Sequence, residues 1–150
     1  MGRLTEQLGA HPRIGLDTSI FIYHLEHHPR YFPLTHELLS GVEAGRWEAL
    51  ASTVTLMELT VRPWQLKRPD VARAYEEALA CFPNLTLVDV TRDVARRAAQ
   101  IRAQYNLRPA DALHIATALA HDATAFVTND RDFVRLDAPS IITLSDFVQT

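Results

Sequence analysis

Five short apolar runs punctuate the chain: RIGL at 13–16, EALAST at 48–53, LTLVDV at 85–90, AFVT at 125–128 and SIITL at 140–144. Their length and composition are those of strands. Between them, apolar residues recur at helical spacing. Helices are expected from 18 to about 28, from 34 to about 44, over 55–61, 69–82 and 91–105, and from 109 to about 121. The fifth carries Val94, Ala95, Ala98 and Ile101 on one side, and Asn106, which tolerates a left-handed cap, closes it before Pro109. Pro109 then opens the sixth in the turn where a missing N–H costs least. Strands alternating with helices predict an α/β protein, with helix layers on both faces of a mainly parallel sheet of about five strands.

In such sheets, ligands bind beyond the carboxyl ends of the strands. Asp17 directly follows the first run, and Asp130 follows AFVT by one residue, so both acids are expected at the same sheet edge. Each has a plain structural explanation as well. Asp17 suits the cap of its own helix, and Asp130, in TNDRDF, suits a turn. Two further acids occupy apolar surroundings. Glu58 lies in TVTLMELTV, on a helix that reads as short and mostly buried, where an arginine partner is the alternative explanation. Asp111 lies in LRPADALHIATALAHD, in a first turn where the helix dipole alone favours an acid.

One shared cause is more economical than four separate ones. Carboxylates brought together repel unless protonated or neutralised. All-oxygen ligand sets select hard cations such as Mg2+ or Mn2+, and a pair of such ions can activate water against a phosphodiester. No Cys/His set at zinc spacing competes.

The bulk composition narrows the setting. A chain of 150 residues, 47% hydrophobic and 22% charged, reads as one globular domain over 1–150, with residues 1–12 as an N-terminal extension. That extension is either frayed or an added partner contact. No apolar run approaches the roughly 20 residues of a membrane span, and MGRLTEQLGAHPR lacks a secretion-signal core. The lone Cys81, in the amphipathic YEEALACF, suits a structural role in a reducing cytoplasm. A net charge of −3 excludes a protein that coats nucleic acid by charge alone, yet leaves open an enzyme that meets a polyanion through metal ions.

The stretches LDTSIFIYHLE, ELTVRP, LRPADALHIATAL and FVTNDRDF, in this order and spacing, resemble the PIN-domain nucleases, specifically the VapC-like toxins of bacterial toxin–antitoxin pairs. The resemblance runs from about Ile14 to the final IITLSDF. It implies a three-layer α/β/α PIN fold and Mg2+- or Mn2+-dependent endoribonuclease activity. Asp17 and Asp111 would be the principal metal ligands, with Glu58 and Asp130 completing the catalytic set. Thr18, Ser19 and Thr128 would orient these carboxylates, and Asp132 would assist. A homodimer and a cognate antitoxin inserting a segment into the active-site groove are implied too. The dozen residues before the first strand depart from the family pattern.

Other features are weighed against ordinary structure. His24 and His28, four apart, match a shared-metal spacing but suit the last turn of a helix. His114, three residues after Asp111 and facing roughly the same way, is open to catalytic use but reads first as an imidazole packed under the sheet. Arg92, Arg96, Arg97, Arg102 and Arg108 form a basic cluster. Arg96, Arg97 and Arg108 are candidate RNA contacts, and a solvated helix face explains them equally well. Trp47 and Trp64 read as core or dimer packing before base stacking. The rival functions are a small-molecule phosphohydrolase, a non-catalytic RNA- or protein-binding module, and a housekeeping RNA-processing nuclease.

Overall fold

The computed structural model describes residues 3–148. The five apolar runs become β1 (Arg13–Leu16), β2 (Glu48–Ser52), β3 (Leu85–Val88), β4 (Ala125–Thr128) and β5 (Ser140–Thr143). All pair in parallel, in the spatial order β3-β2-β1-β4-β5. The expected mainly parallel sheet is thus wholly parallel among the described residues.

Strand order follows from burial on both sides. Along β1, Ile14 and Leu16 point to one face, into a core shared with Ile20, Phe21, Leu38, Leu79 and Leu59. Helices α2 (Thr18–Leu25), α3 (Phe32–Glu43), α4 (Thr53–Gln65) and α5 (Pro69–Cys81) supply that core. On the other face Leu50 and Phe126 meet Val94 and Ala98 of α6 (Arg92–Tyr105) and Ile115 and Ala118 of α7 (Pro109–Ala120). Between Ile14 and Leu16, Gly15 keeps that second face open. A Cβ there would lie 2.9 Å from the Ala118 Cβ and 3.0 Å from Phe126, so a bare backbone lets α7 sit tight against β1.

Local chemistry sets the helix ends. The Ser52 and Thr91 side chains accept from Val54 N and Val94 N, capping α4 and α6. Pro69 and Pro109 open α5 and α7, and Asn106 ends α6 in the left-handed region with φ 57°.

Three expectations change. Residues 3–8 form a helix, α1 (Arg3–Leu8), whose Leu4 and Leu8 are buried in the first core, and Arg3 donates to the Asp146 carbonyl 2.9 Å away. The N-terminal segment is therefore packed from Arg3 onward, because two leucines four apart make one apolar face for α3 to cover. Helix α4 is longer than 55–61 and less buried than expected. It runs through Pro63 to Gln65, and Met57, Val61 and Trp64 are exposed along it. Pro63 is buried, and its packing outweighs a broken hydrogen bond near a helix end. Cys81 is exposed instead of filling core space. Trp47 is buried as expected, its Nε1 donating to the Leu38 carbonyl at 3.1 Å.

Leu8→Ala is expected to cost about 2–5 kcal/mol in urea unfolding by leaving a cavity in the first core. Gly15→Ala is expected to cost about 1–3 kcal/mol by forcing α7 off β1, read from the same unfolding curves.

Candidate active site

The chain lays β1, β2 and β3 toward one edge, then crosses back to place β4 beside β1. This is the switch point where a crevice opens beyond the strand ends in a parallel sheet. Asp17 stands in it. Its N–H donates to the Val127 carbonyl at 3.0 Å, continuing the β1–β4 pairing one residue past the strand. Its carboxylate caps α2, Oδ1 accepting from Thr18 N at 2.9 Å, while Oδ2 accepts from the Thr128 hydroxyl at 2.6 Å. Thr128 Oγ1 in turn accepts from Asp130 N at 3.0 Å, so one hydroxyl ties the acid after β1 to the acid after β4.

A cavity of about 540 Å³ is lined by Asp17, Thr18, Ser19, Glu58, Asp130 and Arg131, together with Ile22, Tyr23 and Asn129. Asp111, in the first turn of α7, joins the group electrostatically. Burial first, then the charges of Asp17 and Asp130, raise its carboxyl to about 6, against the pull of Arg108 and His114. Burial also pushes the Asp17 carboxyl up, although His114 and its hydrogen-bond donors oppose the rise. Glu58 behaves oppositely. Hydrogen bonds from His114 and Thr18 hold its carboxyl below the ordinary range despite partial burial. Glu58 forms no ion pair with an arginine among the described residues, and its hydrogen-bond partner is His114, with Nε2 2.8 Å from Oε1.

The remaining candidates divide. Thr18 Oγ1 donates to Glu58 Oε1 at 2.8 Å. Ser19 lines the cavity, but its hydroxyl has no hydrogen-bond partner. Asp130 Oδ1 accepts from Asp132 N at 2.9 Å, capping a 3-10 turn at Arg131–Arg135, and the Asp132 side chain lies outside the cavity lining. Arg108, at the α7 N-terminus, is close enough to influence Asp111. Arg96 and Arg97 both pair with Asp93, at 3.1 and 3.0 Å, on the exposed face of α6. His28 lies beyond the end of α2, its Nδ1 accepting from Arg30 N and Tyr31 N, so it shares no metal with His24.

The acids offer only oxygen atoms, and the repulsion that Asp17 and Asp130 exert on Asp111 is of the kind a divalent cation would relieve. Among the described residues, no three His, Cys, Asp or Glu side chains are spaced to hold a metal ion as they stand.

The sequence profile of the PIN domain matches residues 14–139. The chain belongs to the PIN-domain family. No curated protein sequence matches it. Solved structures with the same fold include a toxin–antitoxin complex from Klebsiella pneumoniae, at 22% identity and a TM-score of 0.67, covering 87% of this chain and 97% of that one. DNA-bound VapBC from Salmonella typhimurium aligns at 23% identity and 0.67, covering 88% and 98%. FitAcB from Neisseria gonorrhoeae aligns at 21% and 0.66, with the same coverages. Helix α1 precedes the part of the chain that matches the PIN profile.

Four residues of this PIN domain's cavity region escaped the sequence reading. Tyr23, Asn129 and Arg131 line the cavity, with Asn129 Nδ2 donating to Tyr23 OH at 3.3 Å. The fourth, His114, reads from the sequence first as packing, with catalytic use as the lesser alternative. Its spacing from Asp111 puts both on one face of α7, and Asn129 stands between two residues already singled out. These were the available signals.

A carboxyl raised to about 6 binds its proton more tightly in the folded chain than in the unfolded one, where the value is 3.8. Its stabilising contribution is complete below the unfolded value and is lost as pH rises through about 6. In the metal-free protein, Asp111→Asn is therefore expected to melt higher than wild type at about pH 7.5, with the gap shrinking toward pH 4, by scanning calorimetry. An equal gap at both pH values would refute a raised Asp111.

Proposed function

We propose that this PIN domain is an endoribonuclease that uses Mg2+ or Mn2+ to hydrolyse RNA phosphodiester bonds, and that it acts as the toxin of a toxin–antitoxin pair. The observation that carries the proposal is the set Asp17, Asp111 and Asp130 at the switch point. The charges of Asp17 and Asp130 both reach Asp111, and no lysine or arginine forms an ion pair with any of the three among the described residues. In this reading Asp17 and Asp111 are the principal ligands, with Glu58 and Asp130 completing the catalytic set. Bound there, a divalent cation supplies Lewis acidity and charge neutralisation for attack on phosphorus.

The chain's own residues hold the geometry. Thr128 and the Thr18 N–H orient Asp17. Thr18 Oγ1 orients Glu58. Arg108, close to Asp111, is the arginine assigned to a backbone phosphate in this reading, whereas Arg131, on the cavity wall, pairs with Asp146 at 2.6 Å and would have to give it up first. Arg96 and Arg97 would meet RNA only after giving up Asp93, so they contribute less. One of the neighbours described above, from Klebsiella pneumoniae, is a toxin–antitoxin complex, which supports an antitoxin partner here. The exposed Met57, Val61 and Trp64 on α4 give a homodimer or that antitoxin an apolar surface to cover. Among the described residues, no helix is long and apolar enough to cross a membrane.

The alternative is a PIN-like module that binds RNA or protein without cutting. Cation dependence separates the two. Purified protein with Mn2+ is expected to cut a pool of single-stranded and structured RNA, to stop with EDTA, and to slow by at least about a hundredfold in Asp111→Asn, since loss of a ligand exceeds the cost of losing a ligand's support. Equal cutting by wild type and variant would trace the activity to a contaminant. Absence of Mn2+ binding by calorimetry would end the nuclease reading.

A further inference from the structure

His114 does more in this fold than fill space. Its side chain is 1% exposed, and its Nε2 faces three oxygens of the site: Glu58 Oε1 at 2.8 Å, Thr18 Oγ1 at 3.3 Å and Asp17 Oδ1 at 3.9 Å. Its Nδ1 is buried with no partner. A buried N–H without an acceptor is costly, whereas a bare ring nitrogen is a weaker loss, so the proton belongs on Nε2 and points at Glu58. An imidazole serving only as packing would have no reason to aim its one N–H at a carboxylate.

Glu58 Oε1 then receives two hydrogen bonds, from His114 Nε2 and from Thr18 Oγ1. Both of its lone pairs in the carboxylate plane are used. Among the described residues Oε2 receives none, and Glu58 lines the cavity. Thr18 is held from behind by the Thr55 hydroxyl at 3.0 Å. The donors arise on three different helices: Thr18 and Thr55 from α2 and α4, His114 from α7. Helix α7 therefore carries Asp111 and, one turn later on the same face, the group that orients the acid of α4.

We propose that His114 is the positioning residue of Glu58, pinning Oε1 inside the protein so that Glu58 offers the cavity cation a single oxygen, Oε2. This rests on the reading of the acid site as a divalent-cation site. Without the Nε2 donor, the half-buried Glu58 side chain regains rotamers toward the cavity and the cation loses a preorganised ligand.

The test is Mn2+ titration of the metal-free full-length protein by calorimetry, with circular dichroism confirming the fold. His114→Phe keeps the ring volume and removes the donor, while His114→Gln places an amide N–H about where Nε2 stands. The first is expected to weaken Mn2+ binding by about 10–100-fold and the second by no more than about threefold. A double-mutant cycle with Glu58→Gln should show that His114→Phe adds little once Glu58 is changed, because both remove one contact. Should His114→Phe fail to fold, His114→Asn replaces it in the same cycle, its shorter amide falling short of Glu58. Additive losses, or a donor-less variant binding as tightly as wild type, overturn the proposal and leave the cation site standing. A wild type that binds no Mn2+ overturns both. In the metal-free protein, a long-range proton–nitrogen spectrum should place the His114 proton on Nε2, and a proton on Nδ1 overturns the positioning role even where Mn2+ binds.

Discussion

The pairing of β1 with β4 is the constraint on which the site depends. It is not a hairpin or a sequential neighbour pair but a return across the sheet, and it sets the ends of two strands distant in sequence side by side. From that register Asp17 N reaches the Val127 carbonyl, and Thr128 Oγ1 reaches both Asp17 and Asp130. A buried carboxylate without donors costs several kcal/mol on the scale of unpaired polar burial. Here Thr18 N and the Thr128 hydroxyl supply the donors, so Asp17 is kept buried and its orientation is over-determined.

The acids gathered around this point divide into two kinds. Asp111 bears the charges of Asp17 and Asp130, opposed only by Arg108 and His114, and the tension appears in its raised carboxyl. Glu58 is compensated from within by His114 and Thr18, and its carboxyl lies low. The first kind is a reservoir of unfavourable charge that opposes folding near neutral pH and would be relieved by a cation. The second is already satisfied, and its job is to stay where it is. Stability and function therefore pull against each other at Asp111 more than at Glu58, the pattern seen where ligand sites are built from like charges. The closeness of α7 to β1, permitted by the bare backbone of Gly15, is what brings the first turn of α7 to the other acids.

Much of this was legible along the chain. The five strands, the helices between them and the sheet edge shared by Asp17 and Asp130 follow from periodicities of about two and 3.6 and from the rule that parallel sheets bind beyond their strand ends. The Asn106 cap and the proline at 109 mark helix ends by local chemistry that needs no distant partner. The N-terminal helix was not legible, because six residues with two leucines hold a helix only when α3 covers them. Nor was the length of α4, since Pro63 argues locally for a break and only its burial argues against one.

The amino-acid sequence by itself determined the alternation of elements and which acids stand at their ends, since these depend on side-chain periodicity and on neighbours a few residues away. Tertiary structure alone decided that Thr128 answers Asp17 across 111 positions, that Arg96 and Arg97 turn to Asp93, and that a histidine read as packing aims its Nε2 at Glu58. The physical reason is that a hydrogen bond or ion pair is fixed by distance and direction to within a fraction of an ångström. Such positions exist only once β1, β4, α4 and α7 are packed together.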